Sequence, residues 1–113
     1  MNSRAKGARG ERAFRDLLRA EGYEARRGQQ FSGSPDSPDV VCPDLQGVHF
    51  EIKCVEKLNI EDAMIQARRD AGTTKTPIVA HKRNHCGWLI TMDAATYFSL
   101  IRNKPARPIP RQW

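Results

Sequence analysis

Across residues 4–21, Ala5, Ala8, Ala13, Phe14, Leu17 and Leu18 recur at helical spacing between arginines, which predicts an amphipathic helix with one apolar face. Gly22 follows in the position of a helix-ending C′ glycine. Residues 23–26 predict a short strand, and residues 28–38, rich in Gly, Ser and Pro, a loop. Residues 39–42 form a second short apolar strand, and the Pro43 to Gly47 stretch a turn. Residues 48–55 alternate: Val48, Phe50, Ile52 and Cys54 point one way, His49, Glu51 and Lys53 the other. Asn59 caps a second helix, with Asp62 in its first turn and Gly72 as its stop. Residues 77–81 and 87–91 read as a hairpin around Asn84, with Trp88 among its core residues, and Asp93 caps a last helix to about residue 101. The order α-β-β-β-α-β-β-α predicts one α/β domain over residues 1–103, a small mixed sheet flanked by helices. Residues 104–113, with three prolines, form a Pro- and Arg-rich tail.

Composition narrows the class. A chain of 113 residues accommodates one domain, and the apolar runs are too short to span a bilayer. The N-terminal stretch has no apolar segment of the signal-peptide kind, and three cysteines give no disulfide framework, so a cytoplasmic location is expected. Nineteen basic residues against thirteen acidic ones leave a net charge of +6 and a pI near 9.7, which favours a polyanionic partner. Arg4, Lys6, Arg9, Arg12, Arg26 and Arg27 concentrate that charge near the N-terminus, and the arginine fork suits phosphate.

The chemistry centres on Glu51-Ile52-Lys53, where period-2 geometry sets a carboxylate and an ammonium on one strand face. Asp39 opens the preceding strand, and a hairpin around Gly47 brings it beside Glu51 at one sheet end. Two converging carboxylates with a carbonyl suit Mg²⁺, and a lysine beside them suits phosphodiester hydrolysis. The alternative for Glu51 and Lys53 is an ordinary solvated strand face, and Asp36 is a rival for the role of Asp39.

Pro38-Asp39 and Glu51-Ile52-Lys53, preceded by Lys6-Gly7-Ala8-Arg9-Gly10-Glu11-Arg12, resemble the PD-(D/E)xK nucleases. Among these the chain is most similar to the archaeal-type Holliday junction resolvases and their phage relatives, through Glu11-Arg12, Leu17-Leu18 and Gly22-Tyr23 as well. The resemblance runs from about Lys6 to Thr91. It implies a restriction-endonuclease-like fold, an α-β-β-β-α-β core with an added strand and helix. It also implies roles: Asp39, Glu51, the Ile52 carbonyl and Glu11 as ligands of Mg²⁺ or Mn²⁺, and Lys53 as the catalytic lysine. A loop serine, Ser34 or Ser32, would join them. The implied substrate is branched DNA, four-way junctions foremost, cut by a homodimer involved in recombination and repair. Flap, nicking and restriction-type enzymes share the same residues.

Other readings remain. His81, His85 and Cys86 have the spacing of zinc ligands but no Cys-x-x-Cys half-site. A DNA-binding accessory protein would keep the basic surface without catalysis. Glu11 has an alternative partner in Arg15, four residues on, and Gln66 is either a polar neighbour of the site or a solvated helix residue.

Overall fold

The computed structural model describes residues 3–28 and 39–102, with side chains from Gly7 onward. Ser32, Ser34, Asp36, the tail 104–113 and the side chains of Arg4 and Lys6 lie outside the described residues.

The first helix, α1, runs Ser3–Ala20. Its buried stripe is Gly10, Glu11, Phe14 and Leu18. Ala13 and Leu17, expected on the apolar face, are exposed, because that stripe is narrow and they sit to one side of it. Gly22, at φ +94°, ends the helix in a Schellman turn: the Tyr23 N–H donates to the Leu18 carbonyl at 3.1 Å and the Gly22 N–H to the Arg19 carbonyl at 3.0 Å.

The first strand, β1, is Arg26–Arg27, later than the expected 23–26. The intervening backbone is satisfied by side chains instead: the Glu24 N–H donates to Asp44 and the Arg19 guanidinium to the Ala25 carbonyl. Then come β2, Val40–Val41, a 3-10 turn at Pro43–Leu45, and β3, Val48–Cys54. Helix α2, Ile60–Ala71, starts as expected, with the Asn59 side chain accepting the Asp62 N–H, and ends at Gly72, φ +64°. Strands β4, Thr76–Lys82, and β5, Leu89–Thr91, precede α3, Ala94–Arg102. Asp93 precedes α3 as anticipated, but its carboxylate pairs with Arg68 on α2, and its carbonyl accepts the Tyr97 N–H.

The five strands lie in sequence order, β1-β2-β3-β4-β5, all antiparallel except β3 and β4. Parallel neighbours need a crossover, and α2 is that crossover. The sheet is covered on both sides. Against α1, Phe14 and Leu18 meet Val40, Phe50, Ile52, Ile78 and Ala80. Trp88 closes that side, its ring centroid 5.1 Å from Phe14, in the core role expected of it. Against α2, Ala63, Met64 and Ala67 meet Val79, and the small alanines let the helix approach closely. Helix α3 buries none of its residues, and Tyr97, Phe98 and Leu100 are exposed. No described helix is long and apolar enough to cross a membrane.

Candidate active site

The site begins with β3. Its second face was expected to be either a metal site or a solvated surface, and solvation is ruled out: Glu51 is 3% and His49 2% exposed. They lie under α2. A carboxylate buried so far must be compensated, and the compensation defines the site.

Strand β2 delivers the second carboxylate. Val40 pairs with Phe50, so the hairpin places Asp39 across from Glu51, as the spacing anticipates. Asp39 is pinned twice. Its carbonyl accepts the Gly28 N–H at 3.1 Å, and its Oδ2 accepts the Ile52 N–H at 2.9 Å. The side-chain bond to the Ile52 N–H fixes this carboxylate against β3 beside Glu51.

The third carboxylate comes from α1. Glu11 lies one helical turn before Phe14 on the buried stripe, so the packing that seats Phe14 also seats Glu11. Gly10 permits the approach: a Cβ there would stand 2.8 Å from the Cys54 sulfur. Glu11 does not pair with Arg15, which bonds Asp16 at 2.9 Å; Arg27 reaches it instead, through Nε and a terminal nitrogen, each at 3.1 Å.

The convergence has an electrostatic consequence. Asp39 is pushed from its ordinary 3.8 up to about 7, first by burial and then by the negative charges of Glu51 and Glu11. The Ile52 N–H and the Lys53 ammonium pull the other way without winning. Lys53 lies 3.7 Å from Glu51 Oε2 and donates to the Gln66 Oε1 on α2 at 3.0 Å. Gln66 is therefore a neighbour of the site rather than a solvated helix residue.

Asp39, Glu51, Glu11 and Lys53 thus meet, as the sequence anticipates. His49 was assigned no role, although alternation already set it on the face of Glu51: its Nε2 is 3.2 Å from Glu51 Oε1. In the tautomer that carries its proton on Nε2, the imidazole donates to this oxygen. Asp70 of α2 completes a cluster in which one ligand atom from each of His49, Glu51 and Asp70 lies within 4.8 Å of the others. Among the described residues, His81, His85 and Cys86 form no such group; His81 bonds the Thr91 hydroxyl at 2.8 Å and Cys86 is exposed. Arg9, Arg12 and Arg26 are exposed, whereas Arg27 is half-buried against Glu11. Beside the site runs a groove lined by Arg9, Gly10, Cys54, Glu56, Lys82 and Arg83. Sequence spacing hid Lys82 and Arg83, which reach Arg9 only through the parallel pairing of Cys54 with Lys82.

Comparison with family models and with curated protein sequences finds no match. Among solved structures, the chain is similar to Hjc, a Holliday junction resolvase of the archaeal hyperthermophile Archaeoglobus fulgidus. They share 26% identity and a TM-score of 0.56, over 77% of this chain and 72% of that one. The mixed five-stranded sheet with its helices is accordingly a restriction-endonuclease-like α/β fold.

Proposed function

We propose that this protein is a metal-dependent endonuclease that hydrolyses phosphodiesters in branched DNA, four-way junctions foremost. One observation carries the reading: Asp39 converges with Glu51 and Glu11 beside Lys53, where burial first, and then the charges of Glu51 and Glu11, push Asp39 up to about 7. Carboxylates that repel one another at a sheet end are a donor set for a hard divalent cation, Mg²⁺ or Mn²⁺. The likeness to the Archaeoglobus fulgidus resolvase supports the choice of substrate.

Asp39 and Glu51 would hold the cation, with Glu11 reaching it directly or through water. The Ile52 carbonyl would join them, since the N–H and C=O of one strand residue face the same edge and its N–H already meets Asp39. When bound, the cation supplies Lewis acidity toward the scissile phosphate and lowers the pKa of a coordinated water. Lys53 would place its ammonium against the charge gained by the phosphate, held there by Gln66 and Glu51. Arg9, Arg12 and Arg26, with Lys82 and Arg83 along the groove, would bear the DNA arms, and Ser34 or Ser32 would approach from the loop. Resolving a junction takes two symmetric cuts, and one site per chain then calls for a C2 homodimer.

The test compares an immobile four-way junction with matching linear duplex, with Mg²⁺ or EDTA, using the wild type and Lys53→Ala. Symmetric cuts on the junction, lost with EDTA and with the substitution, are expected. Junction binding without cleavage under either metal would leave a DNA-binding accessory protein.

A further inference from the structure

Among the described residues, His49 is the most deeply buried ionisable group that the proposed chemistry leaves without a task, and it lies against Glu51, a proposed ligand. Glu51 has two oxygens with different neighbours. Oε1 lies 3.2 Å from the His49 imidazole, under α2; Oε2 lies 3.7 Å from the Lys53 ammonium, at the open side. A glutamate carboxyl can turn about its last torsion, which is broad and has no sharp staggered wells. The backbone of β3 does not decide which oxygen faces outward. Of the two side chains that meet the carboxyl, the His49 imidazole is buried and the Lys53 ammonium half-buried.

We infer that His49, backed by Asp70, is a positioning residue that clamps Glu51 Oε1 and so presents Oε2 for cation binding. The inference rests on the proposed role of Glu51. Asp70 enters from the last turn of α2, its side chain 10% exposed, and completes the three-residue cluster. Side chains that hydrogen-bond a metal's ligands commonly govern affinity by about 10–100-fold.

The experiment is a Mn²⁺ titration of the metal-free protein, read by the spin resonance of free Mn²⁺ and so independent of cleavage. Thermal melting and the Mg²⁺ concentration for half-maximal junction cleavage are measured beside it. His49→Leu removes the donor; His49→Gln keeps an N–H in nearly the same place; Asp70→Asn keeps the shape and drops the charge. The expected pattern is a Mn²⁺ dissociation constant and a half-maximal Mg²⁺ concentration raised about 10–100-fold in His49→Leu. His49→Gln should be mostly restored and Asp70→Asn displaced in the same direction. Junction binding in EDTA should not change, since the DNA-bearing arginines are elsewhere. A folded His49→Leu with wild-type Mn²⁺ affinity overturns the inference. So do equal losses in the Leu and Gln variants, which would make the effect one of packing. If His49→Leu does not fold, Asp70→Asn and His49→Gln decide: unchanged Mn²⁺ affinity in Asp70→Asn counts against the clamp. Failure of the nuclease reading looks different, because wild type would then bind Mn²⁺ without cutting any junction.

Discussion

The two faces of β3 are built from the same seven residues and have opposite physical characters. Phe50 and Ile52 pack against α1 in an apolar cluster, Phe50 at 5.2 Å from the ring centroid of Phe14. One residue out of step, His49, Glu51 and Lys53 lie on the α2 face, the first two as dry as the core. Burying Phe50 removes apolar surface from water and stabilises the fold. Burying Glu51 beside Asp39 costs desolvation and repulsion, offset only in part by His49, Lys53 and the Ile52 N–H on Asp39. A strand can hold a strained polar site because its other face anchors it.

That contrast is broken most sharply by exchanging the damage. Glu51→Gln should lower junction cleavage by about 10²–10³-fold, the loss typical of removing one group that stabilises developing charge. Its urea midpoint should hold or rise, because a repelling charge has gone. Phe50→Ala should do the reverse, costing about 3–5 kcal/mol in urea unfolding. Any fraction that remains folded should still cleave. Equal stability losses in the two variants would show that the faces do not divide the work in this way.

The division was only half legible in the sequence. Alternation assigned every residue of β3 to its face, and the Gly47 turn foretold the meeting of Asp39 and Glu51, because both follow from strand geometry alone. What covers a face is a tertiary matter. Nothing in His49-Phe50-Glu51 says that α2 lies over the polar side, so Glu51 read equally well as solvated. Glu11 offered Arg15 at the spacing of a helical ion pair, yet it pairs with Arg27, sixteen residues on, because the stripe that seats Phe14 turns Glu11 toward β1. The first strand drifted for a related reason: Asp44 and Arg19 satisfy the backbone at residues 24 and 25, and side-chain bonds of that kind have no sequence period.

The strain on the polar face should be measurable as a pH dependence. Asp39 has a folded pKa of about 7 against an ordinary 3.8, so the folded state holds a proton that the unfolded state has released. Ionisation then weakens the fold, and metal-free stability should fall as pH rises from about 4 to about 7. At ~1.4 kcal/mol per pH unit, discounted for the exposed part of the carboxylate, the loss is about 3 kcal/mol. Urea titrations in EDTA should show this slope in the wild type and lose it in Asp39→Asn. Saturating Mg²⁺ should flatten it too, since a cation binds the ionised form. A slope that survives Asp39→Asn would assign the strain to another group.

The smallest effect tests how the apolar face sets the distance to the polar one. Gly10 lets α1 close on β3, and a methyl there would meet the Cys54 sulfur at 2.8 Å, with the Ile52 side chain behind it at 3.8 Å. Gly10→Ala gains about 1 kcal/mol of helix propensity and loses about 1–3 kcal/mol to overpacking. The net change should be a loss of about 1 kcal/mol in urea unfolding. Cys54→Ala removes the sulfur and should restore the helix gain, so the double variant melts above Cys54→Ala alone. The sign of that coupling separates steric closeness from any other role of the glycine. Cleavage supplies the second reading. If α1 is pushed outward by the methyl, Glu11 withdraws from Asp39 with it, and Gly10→Ala should need more Mg²⁺ for half-maximal cleavage. If the sulfur turns aside while the helix stays in place, stability alone should change.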